Sequence, residues 1–204
     1  METKAIDTEF NRLFGEYQKP VYNYVLRMVK DRPSAEELTQ DVFVRIYRSL
    51  SDFRGESELS TWVFKIATNV SLDHFRSKSH KNAERDSTFD EEALSSESPR
   101  ENVQEFLSVE DELINAEMAG CVKGYIDDLP GDYRAVLLLH DHQGFKNREI
   151  AKITGASLEN VKIRLHRARN KMRGVFSSKC NIYRDGRDVL RCVEKEGDEC
   201  GGRK

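Results

Sequence analysis

A chain of 204 residues holds one ordinary domain or two small ones. With 34% charged and 38% hydrophobic residues it has too little apolar material for one large core, and small helical units joined by a polar segment fit better. No run of about 18 apolar residues is present, and the opening METKAIDTEF lacks the basic and apolar regions of an export signal. Membrane insertion is therefore not expected, a cytoplasmic location is, and the four cysteines are expected to be reduced.

Helical periodicity dominates the chain, and no alternating strand pattern stands out. Over residues 6–30, Phe10, Leu13, Phe14, Tyr17, Val21, Tyr24, Val25 and Met28 recur at spacings of three and four. Asp31-Arg32-Pro33 interrupts, and Ser34 with Glu37 has the S-x-x-E pattern of a capping box. Leu38, Val42, Ile46 and Leu50 then form the stripe of a second helix, and Gly55 marks a turn. A further helix is expected from about Ser57 to Ser77, with Leu59, Val63, Ile66 and Val70 buried. Trp62 fits either that core or a wedge at a nucleic-acid surface.

The periodicity stops at 79–108. From Glu84 to Glu117 twelve acidic residues face two basic ones, a net of -10, so the rest of the chain carries +7. This stretch is expected to be a flexible acidic linker. Helices are expected to resume near Val109, with Leu113, Met118, Val122, Tyr125, Ile126 and Leu129 on one side, Cys121 buried among them, and a further helix from Tyr133 to about Asp141. The fold class expected is all-α: two small helical domains, 1–78 and 109–176, around the linker, with a tail at 177–204.

The most specific segment is NREIAKITGASLENVKIRLHRARNKM, from Asn147 to Met172. Ala151, Gly155 and Val161 have helix-turn-helix spacing: a small residue where the helices approach, a glycine for positive φ in the turn, and a β-branched residue seating the second helix. Ser157 suits the cap of that second helix. Val161, Leu165 and Ala168 face inward, which turns Asn160, Lys162, Ile163, Arg164, His166, Arg167 and Lys171 outward to varying degrees. Nine Lys or Arg from Gln143 to Phe176 oppose only Glu149 and Glu159, a net of +7. A basic recognition helix in a major groove is the direct interpretation.

The segment DLPGDYRAVLLLHDHQGFKNREIAKITGASLENVKIRLHRARNKM resembles region 4 of extracytoplasmic-function sigma factors of the sigma-70 family. RPSAEELTQDVFVRIYRSLSDFRGESELSTWVFKIATNVSLDHFRS resembles their region 2. Together the resemblance covers residues 6–176. It implies a subunit that binds core RNA polymerase, recognises the −10 and −35 elements of promoter DNA and initiates transcription in response to a stress, envelope, metal or redox signal, under the control of an anti-sigma factor. Carried onto this sequence, it implies polymerase contacts from Glu37, Gln40, Asp41 and Arg45. It implies −10 contacts from the loop Phe53-Arg54-Gly55-Glu56-Ser57, which captures a flipped base, and from Asn69, Asp73 and Arg76, with Lys78 near phosphate. The −35 contacts fall to Ser157, Asn160, Lys162, Ile163, Arg164, His166, Arg167 and Lys171. The acidic linker would pass along the nucleic-acid channel of the polymerase, or serve only as a soluble spacer.

The tail carries Cys180, Cys192 and Cys200, with eleven and seven residues between them and no close pair. No cofactor is expected to be required. Three thiolates suit zinc or copper(I), oxidation could pair Cys180 with Cys192 across Asp185-Gly186, and an inert tail is the third reading. His140 and His142 are expected to face solvent or DNA rather than a metal. No nucleophile–base pairing, HExxH, P-loop or glycine-rich cofactor turn is present, so an enzyme is not expected. The rival reading is a one-component helix-turn-helix regulator that acts without polymerase.

Overall fold

The computed structural model describes residues 2–55, 57–81, 126, 129–184, 186 and 190–195. Most of the acidic linker, the helix expected from Val109, and Glu56, Cys121 and Cys200 lie outside these residues.

Helix α1 spans Glu2–Val29, and its stripe of Leu13, Val21, Tyr24, Val25 and Met28 is fully buried. It ends as Lys30 adopts a left-handed φ of 67°, its N–H donating to the Leu26 carbonyl. Helix α2 follows over Arg32–Ser49. Its cap is Asp31, whose carboxylate accepts the Ser34 N–H at 2.9 Å, rather than the expected pair Ser34 and Glu37. The reason is positional: Ser34 stands in the first turn, where its own N–H needs an acceptor. A short 3₁₀ turn, Leu50–Asp52, and Gly55 at φ 71° lead into α3, Leu59–Lys81, which runs a few residues past the expected boundary. Inside this three-helix group the Tyr24 and Thr68 hydroxyls share a buried hydrogen bond of 2.9 Å.

The second group begins with α4, Gly131–Leu137, continued by a wider π-type turn over Leu138–His142. Helix α5, Asn147–Thr154, ends at Gly155 with φ 68°, and α6 runs over Leu158–Lys179. The glycine conformation turns α6 across α5, and Ile150, Ile153, Val161, Leu165 and Ala168 close the space between them. The Ser157 hydroxyl accepts the Asn160 N–H at 3.1 Å, the cap expected there.

The tail departs from expectation. Strands β1, Cys180–Arg184, and β2, Leu190–Glu194, pair antiparallel, with Cys180 opposite Glu194 and Ile182 opposite Cys192. CNIYR and LRCVE are too short and too interrupted by charge to register as alternation; backbone pairing rather than an apolar face defines this hairpin.

The two helical groups share one apolar interior. Helix α3 packs against α4 and α5, and Phe64 meets Phe145 edge to face at 5.2 Å between ring centres. Arg134, 4% exposed, lies at the same junction.

Candidate nucleic-acid interface

The exposed side of α2 carries Glu37, Gln40, Asp41 and Arg45 together, one above another at helical spacing, opposite the buried Leu38, Val42 and Ile46. Val44 lies among them, 46% exposed. An apolar side chain amid a polar face is typical of a docking surface, and it was legible only as a residue off the stripe. Tyr47, next on this side, is tied down: its hydroxyl donates to Asp7 at 3.0 Å and its ring stands on Phe10.

The loop before α3 is shaped by Gly55 and anchored by Phe53, whose ring lies 5.1 Å from that of Trp62. Trp62 is half-buried and packs against the core, which favours its structural reading over the wedge. Phe53, Gly55, Ser57, Glu58, Leu59 and Thr61 line one side of an open cleft of about 430 Å³. Its other side is Glu149 and Lys152 from α5, two residues that sequence patterning had not connected to this loop. Beyond the loop, Asn69, Asp73 and Arg76 are exposed along α3. Asp73 and Arg76 pair at 3.3 Å, an exposed contact of little energetic weight that a phosphate would readily replace.

On α6, Ser157, Asn160, Lys162, Ile163 and Lys171 are exposed, while His166 and Arg167 are half-buried. Ile163, 40% exposed, is an apolar tip on the basic face, suited to contact with a thymine methyl. Lys162 lies 3.7 Å from Glu159. Arg164 differs from the others: it leans back onto α4 and pairs with Asp132 at 3.2 Å. Arg169 is held at 2.6 Å by Asp141, which also contacts His140. This trio braces α6 against the π-type turn and occupies His140 in structure rather than in metal binding.

Among the described residues, no group of three His, Cys, Asp or Glu is arranged to hold a metal ion, and no helix is long and apolar enough to cross a membrane. The strand register sets Cys180 and Cys192 one diagonal step apart on the same side of the hairpin.

Residues 13–81 match sigma-70 region 2 and residues 119–172 match sigma-70 region 4. The chain is 30% identical over 169 residues to the ECF RNA polymerase sigma factor SigX of Bacillus subtilis, covering 82% of this chain and 84% of that protein. It is 30% identical over 170 residues to the ECF RNA polymerase sigma-E factor of Escherichia coli, covering 81% and 85%. The structure is similar to that of the sigma factor RpoE of Bartonella quintana, solved with the anti-sigma factor NepR, at a TM-score of 0.59 and 21% identity over 83% of this chain and 97% of that one. It is similar also to CnrH, solved with the cytosolic domain of CnrY, at a TM-score of 0.58 and 20% identity over 84% and 90%.

Proposed function

The chain belongs to the extracytoplasmic-function RNA polymerase sigma factors of the sigma-70 family, and from that membership we propose how its surfaces divide the work. A sigma factor carries no catalytic residues; it lends promoter specificity to core polymerase. The α2 face of Glu37, Gln40, Asp41 and Arg45, with Val44 at its centre, docks on core. The cleft behind Phe53, Gly55 and Ser57 receives a base flipped from the −10 element, and Asn69, Asp73 and Arg76 follow the opened strand. An extruded base loses a few kcal/mol of stacking, about what a snug pocket with polar edges offsets. Helix α6 enters the major groove at the −35 element, with Lys162, Ile163 and Arg167 foremost. The observation that carries this reading is the paired presence of a base-sized cleft on one helical group and an exposed basic recognition helix on the other.

The decisive experiment is transcription in vitro with core polymerase, followed by mapping of start sites. The expected product is a set of transcripts from promoters sharing −10 and −35 sequences. A duplex footprint by the free protein equal to that of the holoenzyme would instead support the one-component regulator. Asp41→Lys reverses a charge on an exposed helical face, so it should leave the circular dichroism and melting temperature unchanged while weakening core binding about tenfold or more. An unchanged affinity would remove Asp41 from the interface.

An anti-sigma protein is the expected inhibitor, in keeping with the complexes in which the similar structures were solved, and the site of action is the cytoplasm, where core polymerase resides. For the tail we infer thiol-based tuning, supported by the hairpin register of Cys180 and Cys192, with zinc or copper(I) as ligand and Cys200 as the third donor. Changing all three cysteines to serine should flatten the response of transcription to zinc, copper and peroxide. Superimposable titrations of wild type and variant would leave the tail inert.

A further inference from the structure

Promoter recognition requires the two DNA-reading surfaces to stand far apart. Elements centred about 25 base pairs from each other are separated by about 80 Å along B-form DNA, at 34–36 Å per turn. Here the helical groups that carry these surfaces are in direct contact. Three features show that this contact is built rather than incidental.

The first is Arg134. It belongs to α4, where its guanidinium donates to the Leu129 carbonyl at 2.8 Å and the Ile126 carbonyl at 3.2 Å, but it also donates to the Met28 carbonyl of α1. Met28 lies in the last turn of α1, where carbonyls lack intrahelical partners and the helix dipole is negative. A buried cation from one group therefore caps a helix of the other, and its guanidinium carbon also stands 5.2 Å from the centre of the Phe75 ring of α3. The second feature is apolar: Phe64 of α3 against Phe145, the residue two before α5. The third is Gly131, where any Cβ would fall 3.2 Å from Phe75 and 3.5 Å from Leu72, both on α3. The absence of a side chain at Gly131 lets α4 approach that closely.

The consequence for function lies at the cleft. Glu149 and Lys152 of α5, the first helix of the helix-turn-helix, form the wall facing Phe53, Gly55 and Ser57. We propose that the free protein rests in a closed, self-inhibited form in which the −35-reading group covers the −10 base-capture cleft, latched by Arg134 on the C-terminal carbonyls of α1. The inhibitory half of this proposal rests on the division of labour given above; the closure does not. Core polymerase and promoter must then separate the two groups, and the apparent affinity for core is lowered by the fraction of molecules that are closed.

The test uses the full chain. Glu58 and Lys152 are exposed, lie on opposite groups and line the same cleft. A water-soluble carbodiimide should join them within the monomer, as read by peptide mass mapping, and the link should vanish when core polymerase and promoter DNA are added. Gly131→Leu drives a side chain into Phe75 and Leu72 without adding bulk inside its own group. It should abolish the link in the free protein and lower the core concentration giving half-maximal transcription by about tenfold, for an open fraction of roughly one-tenth in the wild type. No link in the free wild type, or a link that persists in the transcribing complex, would overturn the closed form; neither result depends on the variant folding. Loss of the link in Gly131→Leu with an unchanged transcription titration would overturn the inhibitory role alone. A wild type that forms the link but supports no transcription would instead sink the sigma reading and leave the closure standing.

Discussion

Gly155 illustrates how much one position can decide. Its φ of 68° sets the angle between α5 and α6, yet nothing lies within 4 Å of where a Cβ would be. The requirement is therefore one of backbone conformation alone. Gly155→Ala should cost about 0.5–1 kcal/mol, the left-handed penalty of roughly 1–2 kcal/mol less the entropy that alanine removes from the unfolded chain. Gly155→Asn should be close to neutral, and urea melts of both would check the pair. Tyr24 makes a different kind of demand. Burial pushes its phenol well above the ordinary value, with the Thr68 hydroxyl only partly opposing. A raised folded pKa means that the unfolded chain ionises first. The stability from this group is thus complete below about pH 10 and is lost as pH rises beyond it, by up to about 1.4 kcal/mol per pH unit. Tyr24→Phe should cost about 1 kcal/mol at neutral pH, because Thr68 loses its partner, and should flatten the alkaline limb of a stability–pH curve. Tyr17, raised by burial and then by Glu16, would keep a residual slope. An alkaline limb identical to that of the wild type would mean that Tyr24 titrates normally in the folded protein.

At the scale of elements, what could be read from the sequence depended on whether the cause was local. The helix-turn-helix was legible in full, because Gly155, the Ser157 cap and the inward Val161, Leu165 and Ala168 act within a few residues of one another. The start of α2 was misread by three residues, since Asp31 and Ser34 are both good caps and only geometry decides between them. The hairpin of the tail was missed, its pairing being carried by backbone groups that leave no mark in hydropathy. Among the site residues, the exposed faces of α2 and α3 followed from periodicity, but the state of Arg164 did not, because its partner Asp132 lies on α4. That pair yields a prediction opposite in sign to most substitutions of a binding protein. Asp132→Ala removes a carboxylate from the edge of the recognition helix and frees a guanidinium for phosphate. Binding of the holoenzyme to −35 DNA should tighten across all sequences, with the salt slope steepening by about one. Arg167→Ala should instead relax discrimination at one or two bases by about 1–3 kcal/mol. A uniform loss on Arg167→Ala would reassign it to the phosphate backbone.

The arrangement of the whole molecule was the least legible part, because periodicity gives the apolar face of a helix but not its partner. Phe64 and Phe145 each read as core of their own group; in the structure each is core to the other. The buried set is continuous from Leu13 to Ala168, and the capping carbonyl of α1 is bound by a cation from α4. Two bodies joined only by a tether would melt independently, each at its own temperature. Two bodies that share buried rings and a desolvated guanidinium cannot, since unfolding either one exposes the face of the other and leaves a charge or a carbonyl unpaired, at about 1–3 kcal/mol for each such group. Calorimetry of the full chain should therefore show one transition, with its calorimetric and van't Hoff enthalpies in agreement. Gly131→Leu, which forces α4 off α3 while leaving both groups intact, should split that peak into two, the lower one belonging to the group that loses the larger share of its cover. Two resolved peaks in the wild type would show the groups to be energetically separate, and the Arg134 contact would then be too weak to hold the closed form.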